Sequence, residues 1–220
     1  MNVGLFGGTF NPIHLGHISV ITHVKSVFNL NTIHIIPSAV PPHKTITTLA
    51  SANDRFEMVK QAISTISGFI ISDVELMRRG KSFSIDTIKH FKGLVEKNTK
   101  LYFIMGSDVF FDINTWKNSV EIFKLTEIIV MYRAGDLRGL KDIESFLQRV
   151  ISSQYEIFQS ENIIKHNDIK HGFKTVHICE VPEIHISSTL IREKIKRGES
   201  IKGLVPPVVE SMIYQKKLYL

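Results

Sequence analysis

The sequence predicts an α/β fold: a Rossmann-like parallel sheet flanked by helices on both faces. Three observations predict the sheet. Short, nearly continuous apolar runs recur along the chain, as strands buried on both faces read. Stretches with apolar residues at helical spacing separate these runs. The alternation persists over most of the length, and parallel strands need such crossovers.

The elements follow in order. NVGLF (2–6) opens as a strand, and the helix expected over 16–28 has Ile18, Ile21 and Phe28 on one side. TIHIIP (32–37) is the second strand. A helix over 54–66 begins with Asp54 and Glu57, spaced as in a capping box. FIIS (69–72) is the third strand, and Ile85, Ile88 and Phe91 mark a helix over 84–96. KLYFIM (100–105), EIIVMY (127–132) and TVHICEV (175–181) complete six expected strands. The segment 135–172 is polar and helix-prone and reads as a peripheral insertion. A C-terminal helix is expected within 206–220, with Pro206 near its start. One domain spans 1–220, a length that can bury a sizeable core.

Composition bounds the function. Hydrophobic residues make up 43% and charged residues 22%, which is a globular balance. No apolar run reaches the length of a membrane span, and MNVGLFGG is too short and glycine-rich for a signal peptide. Cys179 is the sole cysteine, which excludes an internal disulfide and fits the cytoplasm. A charge of +6 favours polyanionic partners. No basic stripe interleaved with aromatics is present, so nucleotides are expected rather than nucleic acid, and no membrane.

Ligands of parallel sheets bind at the carboxyl ends of the strands. After the first strand comes GGTFNPIHLGH (7–17). Gly7 and Gly8 allow close backbone approach, and a helix N-terminus is a natural phosphate seat. His14 and His17, three apart, share a face if both lie in the first turn, and together direct two N–H donors at one phosphate. A plain tight turn with two surface histidines is the bland alternative. GKS (80–82) is no phosphate loop, because Glu75 stands where that motif needs glycine. ISSTLIREKI (186–195) supplies Ser187, Ser188 and Thr189 around a helix start, with Arg192 one turn on as a bidentate phosphate partner. An ordinary Ser/Thr N-cap is its bland reading. PSAVPPHK (37–44) stiffens a loop that carries Lys44. In MGSD (105–108), Gly106 admits a flat base and Asp108 suits ribose hydroxyls; a helix cap at Ser107 or Asp108 is the plainer role.

GGTFNPIHLGH and ISSTLIREKI resemble the two signatures of the nucleotidyltransferase superfamily with H-x-G-H and I-S-S-T-x-I-R. Within it the chain resembles the bacterial nicotinate-mononucleotide adenylyltransferases along most of its length. PPHK, GKSFSIDT, FIMGSD, Trp116 and the tail LVPPVVESMIYQKKLY occur in the same order; the likeness fades over 135–172. The resemblance implies transfer of an adenylyl group from ATP to nicotinate mononucleotide, with Mg²⁺ carried on ATP and no dedicated protein metal site. It implies His17, His14, Lys44 and Arg192 as the residues acting on the reacting phosphates. Gly7, Gly8, Thr9, Phe10, Gly106, Asp108, Arg133, Ser187, Ser188 and Thr189 would bind ATP. Asn11, Phe83, Ser84 and Trp116 would bind the nicotinate nucleotide, with Trp116 stacking on the pyridine ring. Phe83 departs from the usual tyrosine and lacks its phenol. A phosphopantetheine adenylyltransferase and an RNA-binding or tRNA-charging module are the rival readings, and a homo-oligomer stays open.

Overall fold

β1 (Asn2–Gly8) buries Val3 to Phe6 and then surfaces at Gly7, so apolar sequence gives way to glycine where the strand meets its edge. The computed structural model describes residues 1–41, 49–133, 140–153, 155–160, 163–168 and 172–220. The other strands are β2 (Thr32–Pro37), β3 (Phe69–Ile71), β4 (Lys100–Gly106), β5 (Glu127–Tyr132), β6 (Tyr155–Ser160), β7 (Ile163–Asp168) and β8 (Val176–Glu180). The helices are α1 (Leu15–Val27), α2 (Ala52–Ile63), α3 (Ser84–Leu94), α4 (Ser107–Phe110), α5 (Ser119–Leu125), α6 (Leu140–Phe146), α7 (Ser188–Lys196) and α8 (Pro207–Gln215). Hydrogen bonding orders the strands β3-β2-β1-β4-β5-β8-β7-β6. All six expected strands are present, and helices flank their parallel sheet.

The chain falls into two compact units. The first comprises Met1–Phe6, His23–Thr32 and Phe83–Glu183. In it β1–β4, β4–β5 and β5–β8 run parallel, with Leu5 near Phe103 and Tyr102 opposite Glu127. Ile85, Ile88 and Phe91 of α3 are buried, as are Ile122 and Phe123 of α5. The second unit comprises Gly7–Thr22, Ile33–Ser82 and Ile184–Leu220. There β2 and β3 pair in parallel, Ile33 opposite Phe69. α2 packs against α8, with Met58, Val59, Val209 and Ile213 buried. Each such side chain taken from water contributes about 1.5–3 kcal/mol.

Three local expectations change. α2 begins at Ala52, because Ser51 is the N-cap: its hydroxyl accepts from the Asp54 amide (3.0 Å) and donates to the Asp54 carboxylate (2.7 Å). The capping pair is therefore Ser51 with Asp54, three residues before the expected Asp54 and Glu57; Glu57 pairs instead with Lys60. Within 135–172, helix propensity describes α6 and the π turn over Leu147–Ile151, but β6 and β7 form an antiparallel hairpin paired to β8. The C-terminal helix stops at Gln215. Lys217 adopts φ 52°, and the Leu218 amide returns to the Ile213 carbonyl (2.9 Å), closing a Schellman end.

Candidate functional site

The second unit gathers both signature motifs. After β1 the Gly8 carbonyl accepts from the Ser38 amide (2.9 Å), which fixes the strand end. A Cβ at Gly8 would lie 2.8 Å from the Phe10 ring, so any larger residue there would force that ring to shift. Phe10 itself takes φ 46° and is buried. Gly7 differs. Its backbone is not left-handed, a Cβ would meet nothing closer than 4.0 Å, and the residue is exposed. Packing leaves Gly7 as open backbone, the condition for close approach by a ligand.

His14 is the N-cap of α1 and His17 its third residue. The His17 amide donates to His14 Nδ1 (3.2 Å), and the His14 amide donates to His17 Nδ1 (3.3 Å). The two imidazoles thus form a reciprocal capping box with nitrogen in place of the usual oxygens. The rings stack with centroids 3.6 Å apart and planes at 26°. A nitrogen that accepts from an amide holds no proton, so each neutral ring carries its hydrogen on Nε2. Both Nε2 atoms are therefore donors. Gly16 lets the rings fit, since a Cβ there would come within 3.0 Å of His14 Nδ1. Two amides of the first turn of α1, those of Leu15 and His17, already have partners: the Leu15 amide donates to the Leu204 carbonyl (3.0 Å), and the His17 amide to His14 Nδ1.

α7 meets this turn directly. Ser187 is its N-cap, accepting from the Leu190 amide (3.1 Å), so the bland reading holds for that hydroxyl. The Ser188 hydroxyl donates to the Pro12 carbonyl (2.8 Å). Arg192 donates from one nitrogen to the Asn11 carbonyl (2.8 Å) and from another to the Thr189 hydroxyl (3.1 Å). Ser188 and Arg192 thus tie the two motifs together, and the exposed Ser187 and Thr189 stand at the helix start. Asn11 is buried; its side-chain oxygen accepts from the Ala50 amide (3.0 Å). Thr9 is half-buried between Gly8 and Phe10. Lys44 falls within 42–48, outside the described residues.

The first unit holds the remaining predicted residues. Phe83 is the N-cap of α3 without a side-chain cap, and Ser84 is the first helical residue. The Lys117 ammonium lies 4.8 Å from the Phe83 ring centre and pairs with Asp86 (3.0 Å). Trp116 is half-buried, edge-on to Phe103 with centroids 6.3 Å apart. Gly106 is the N-cap of α4, and neither Ser107 nor Asp108 caps it. The Asp108 carboxylate folds back over Gly106, where a Cβ would lie 2.5 Å from it. Arg133 is exposed just past β5.

Other polar groups lie apart from these motifs. A cavity of about 350 Å³ at the amino ends of β4, β5 and β8 is lined by Lys100, Tyr102, Glu127 and His177 among others, and by no predicted site residue. His177 Nε2 lies 2.6 Å from the Glu127 carboxylate. Burial works to raise the Glu127 carboxyl, but the His177 bond and charge, with Lys100 and Lys174, hold it below its ordinary value. Burial, helped by the Glu127 charge, pushes the Tyr102 phenol up to about 12. Cys179 is buried, and burial pushes its thiol up to about 11, with Glu180 adding to the effect. Such a thiol is a poor nucleophile. Among the described residues, no three His, Cys, Asp or Glu side chains gather as a metal-binding group.

Sequence reasoning missed Arg55. Its side chain is wholly buried and donates to three carbonyls, Thr9 (2.8 Å), Ala39 (3.1 Å) and Ala50 (3.1 Å). Nothing in a polar helix start signals this, since its acceptors come from three separate stretches.

Residues 5–194 match the cytidylyltransferase-like family model. A protein of Geotalea uraniireducens is 36% identical over 219 residues, covering 100% of this chain and 98% of its own. One of Clostridium novyi is 37% identical over 218 residues, covering 98% of each chain. Both carry the name "Probable nicotinate-nucleotide adenylyltransferase". The solved structure of Plasmodium falciparum nicotinic acid mononucleotide adenylyltransferase complexed with NaAD superposes with a TM-score of 0.74 at 20% identity, covering 99% of this chain and 97% of that one. That likeness is one of fold. With both signature motifs joined in one unit and relatives above 30% identity along its whole length, the chain belongs to the cytidylyltransferase-like family and, within it, to the nicotinate-nucleotide adenylyltransferases.

Proposed function

We propose that the protein transfers the adenylyl group of ATP to nicotinate mononucleotide, forming deamido-NAD and pyrophosphate. The observation that carries this reading is the junction of the two motifs: Ser188 and Arg192 bonded to the carbonyls of Pro12 and Asn11, beside two imidazoles whose protons sit on Nε2. A 5′-phosphate oxygen attacks the α-phosphorus in line; the bond to the bridging oxygen breaks, and pyrophosphate leaves with its electron pair. The attacking phosphate is already an anion near neutral pH, so no general base is needed. Mg²⁺ enters as part of the MgATP substrate and offsets charge on the leaving pyrophosphate. What remains for the protein is positioning and electrostatic stabilisation.

Each group has a role in this reading. His17 Nε2–H donates to the α-phosphate as charge builds, with His14, Lys44 and Arg192 supporting. Gly7, Gly8, Thr9 and Phe10 bring backbone to the phosphates, with the α7 start at Ser187, Ser188 and Thr189. The Ser188 proton is already committed to Pro12, so its contribution there is its amide and its hold on the turn. Gly106, Asp108 and Arg133 serve the adenosine. Trp116 stacks on the pyridine, the α3 start at Phe83 and Ser84 receives the carboxylate, and Asn11 fixes the backbone near the mononucleotide. We place the reaction in the cytoplasm.

The deciding experiment offers ATP and Mg²⁺ with nicotinate mononucleotide, nicotinamide mononucleotide or phosphopantetheine and measures pyrophosphate release. The highest kcat/KM is expected with the acid mononucleotide. Turnover confined to phosphopantetheine, or none with any acceptor, would overturn the assignment.

A further inference from the structure

We infer that Arg55 is a positioning residue for adenylyl transfer, gripping the turn after β1 and both ends of the stretch that carries Lys44. The inference rests on the proposed reaction, in which that turn holds the phosphates. Arg55 is the fourth residue of α2, where the helix dipole disfavours a cation. Its burial is complete, and desolvation lowers its pKa. Among the described residues it forms no ion pair with a carboxylate; neighbouring Asp54 pairs with Lys216. A guanidinium in such a place is costly unless its donors are used, and they are used on main-chain oxygens.

The three acceptors lie far apart in sequence. Thr9 directly follows the Gly7–Gly8 pair, and its carbonyl lies in the peptide that leads into Phe10 at φ 46°. Ala39 and Ala50 bracket 40–49. Each is tied a second time: the Ala39 amide donates to Ser82 Oγ (3.0 Å), and the Ala50 amide donates to Asn11 Oδ1 (3.0 Å). Asn11 in turn offers its carbonyl to Arg192. A continuous set of bonds therefore runs Arg192–Asn11–Ala50–Arg55–Thr9. Two arginines, from α2 and α7, hold residues 9–11 between them. An apolar side chain of equal size would fill the space but leave three carbonyls without donors. Lysine keeps the charge, but its compact ammonium cannot reproduce the planar fork that reaches three separated oxygens.

The test is Arg55→Lys, measured for kcat, for KM of ATP and of nicotinate mononucleotide, and for folding by circular dichroism and melting. A folded variant is expected, with kcat down about 10- to 100-fold and both KM values within about threefold, as misplaced reacting groups behave. The variant is then combined with His17→Ala. Because Arg55 acts through the turn that presents phosphate to His17, the His17 loss should shrink to under about tenfold in the Arg55→Lys background. Turnover per folded molecule within about twofold of wild type, or losses that simply multiply, would overturn the inference. If Arg55→Lys does not fold, Ser82→Ala, which loosens the same Ala39 tie, decides: a lower kcat at unchanged KM supports it, and wild-type kcat overturns it. A wild-type protein that releases no pyrophosphate would sink the reaction and this inference together. An active wild type beside an equally active Arg55→Lys sinks the inference alone.

Discussion

His14 and His17 divide their ring nitrogens between two tasks. Nδ1 closes the start of α1, and this leaves Nε2 as the proton-bearing atom of each neutral ring. The local fold thus sets the tautomer before any ligand arrives, a form of preorganisation that costs nothing at the moment of reaction. We predict that His17→Ala lowers kcat by about 10²- to 10³-fold with a smaller change in KM, measured by pyrophosphate release. Wild-type-like turnover would remove His17 from the chemistry. The spacing of the histidines was readable in the sequence as a shared face. Their capping was not, because the usual signal is a hydroxyl followed by a carboxylate, although the interval of three is the same. Arg55 was unreadable for another reason. Next to Asp54 in a polar helix start it has the pattern of a solvated residue, and only the arrival of Thr9, Ala39 and Ala50 buries it.

At the scale of elements, helix ends carry much of the local information. Ser51 and Asp54 close the start of α2, and Lys216 from just beyond α8 pairs with the same carboxylate. These partners hold the Asp54 carboxyl below its ordinary value, the Lys216 bond first and Ser51 next. A carboxyl lowered in the fold stabilises it above the unfolded value, near 3.9, and loses that contribution as pH falls through the native value. Asp54→Asn is therefore expected to melt below wild type at neutral pH, with the difference closing in strong acid; a constant gap in melts from pH 2 to 7 would contradict this. Lys217 ends α8 in the left-handed region, at φ 52°, where α7 uses Gly198 at φ 68°. Lys217→Gly should stabilise the protein by about 1 kcal/mol, read by denaturant unfolding. The parallel strands were legible because their centres are buried apolar runs, as in Leu101–Met105 and Ile128–Met131, although β3 leaves Ile70 exposed. The hairpin of β6 and β7 was not, because YEIFQS and IIKHND mix charged and apolar residues, and pairing of β7 to β8 and of β6 to β7, rather than local preference, places them in the sheet.

For the molecule as a whole, the pyridine contact proposed for Trp116 is open to a direct test. Trp116→Ala should raise KM for nicotinate mononucleotide at least about tenfold while KM for ATP changes little. Equal increases in both would make Trp116 a packing residue. Because it is the sole tryptophan, quenching of its emission on adding the mononucleotide gives a second reading of the same contact. Cys179 offers a practical consequence of another kind. The sole sulfhydryl lies 1% exposed in β8 and stays protonated at neutral pH. Maleimide dyes should pass it by in the native protein, so a cysteine introduced at any chosen surface position can be labelled alone, and pairs of fluorophores can follow nucleotide binding without first deleting the natural one.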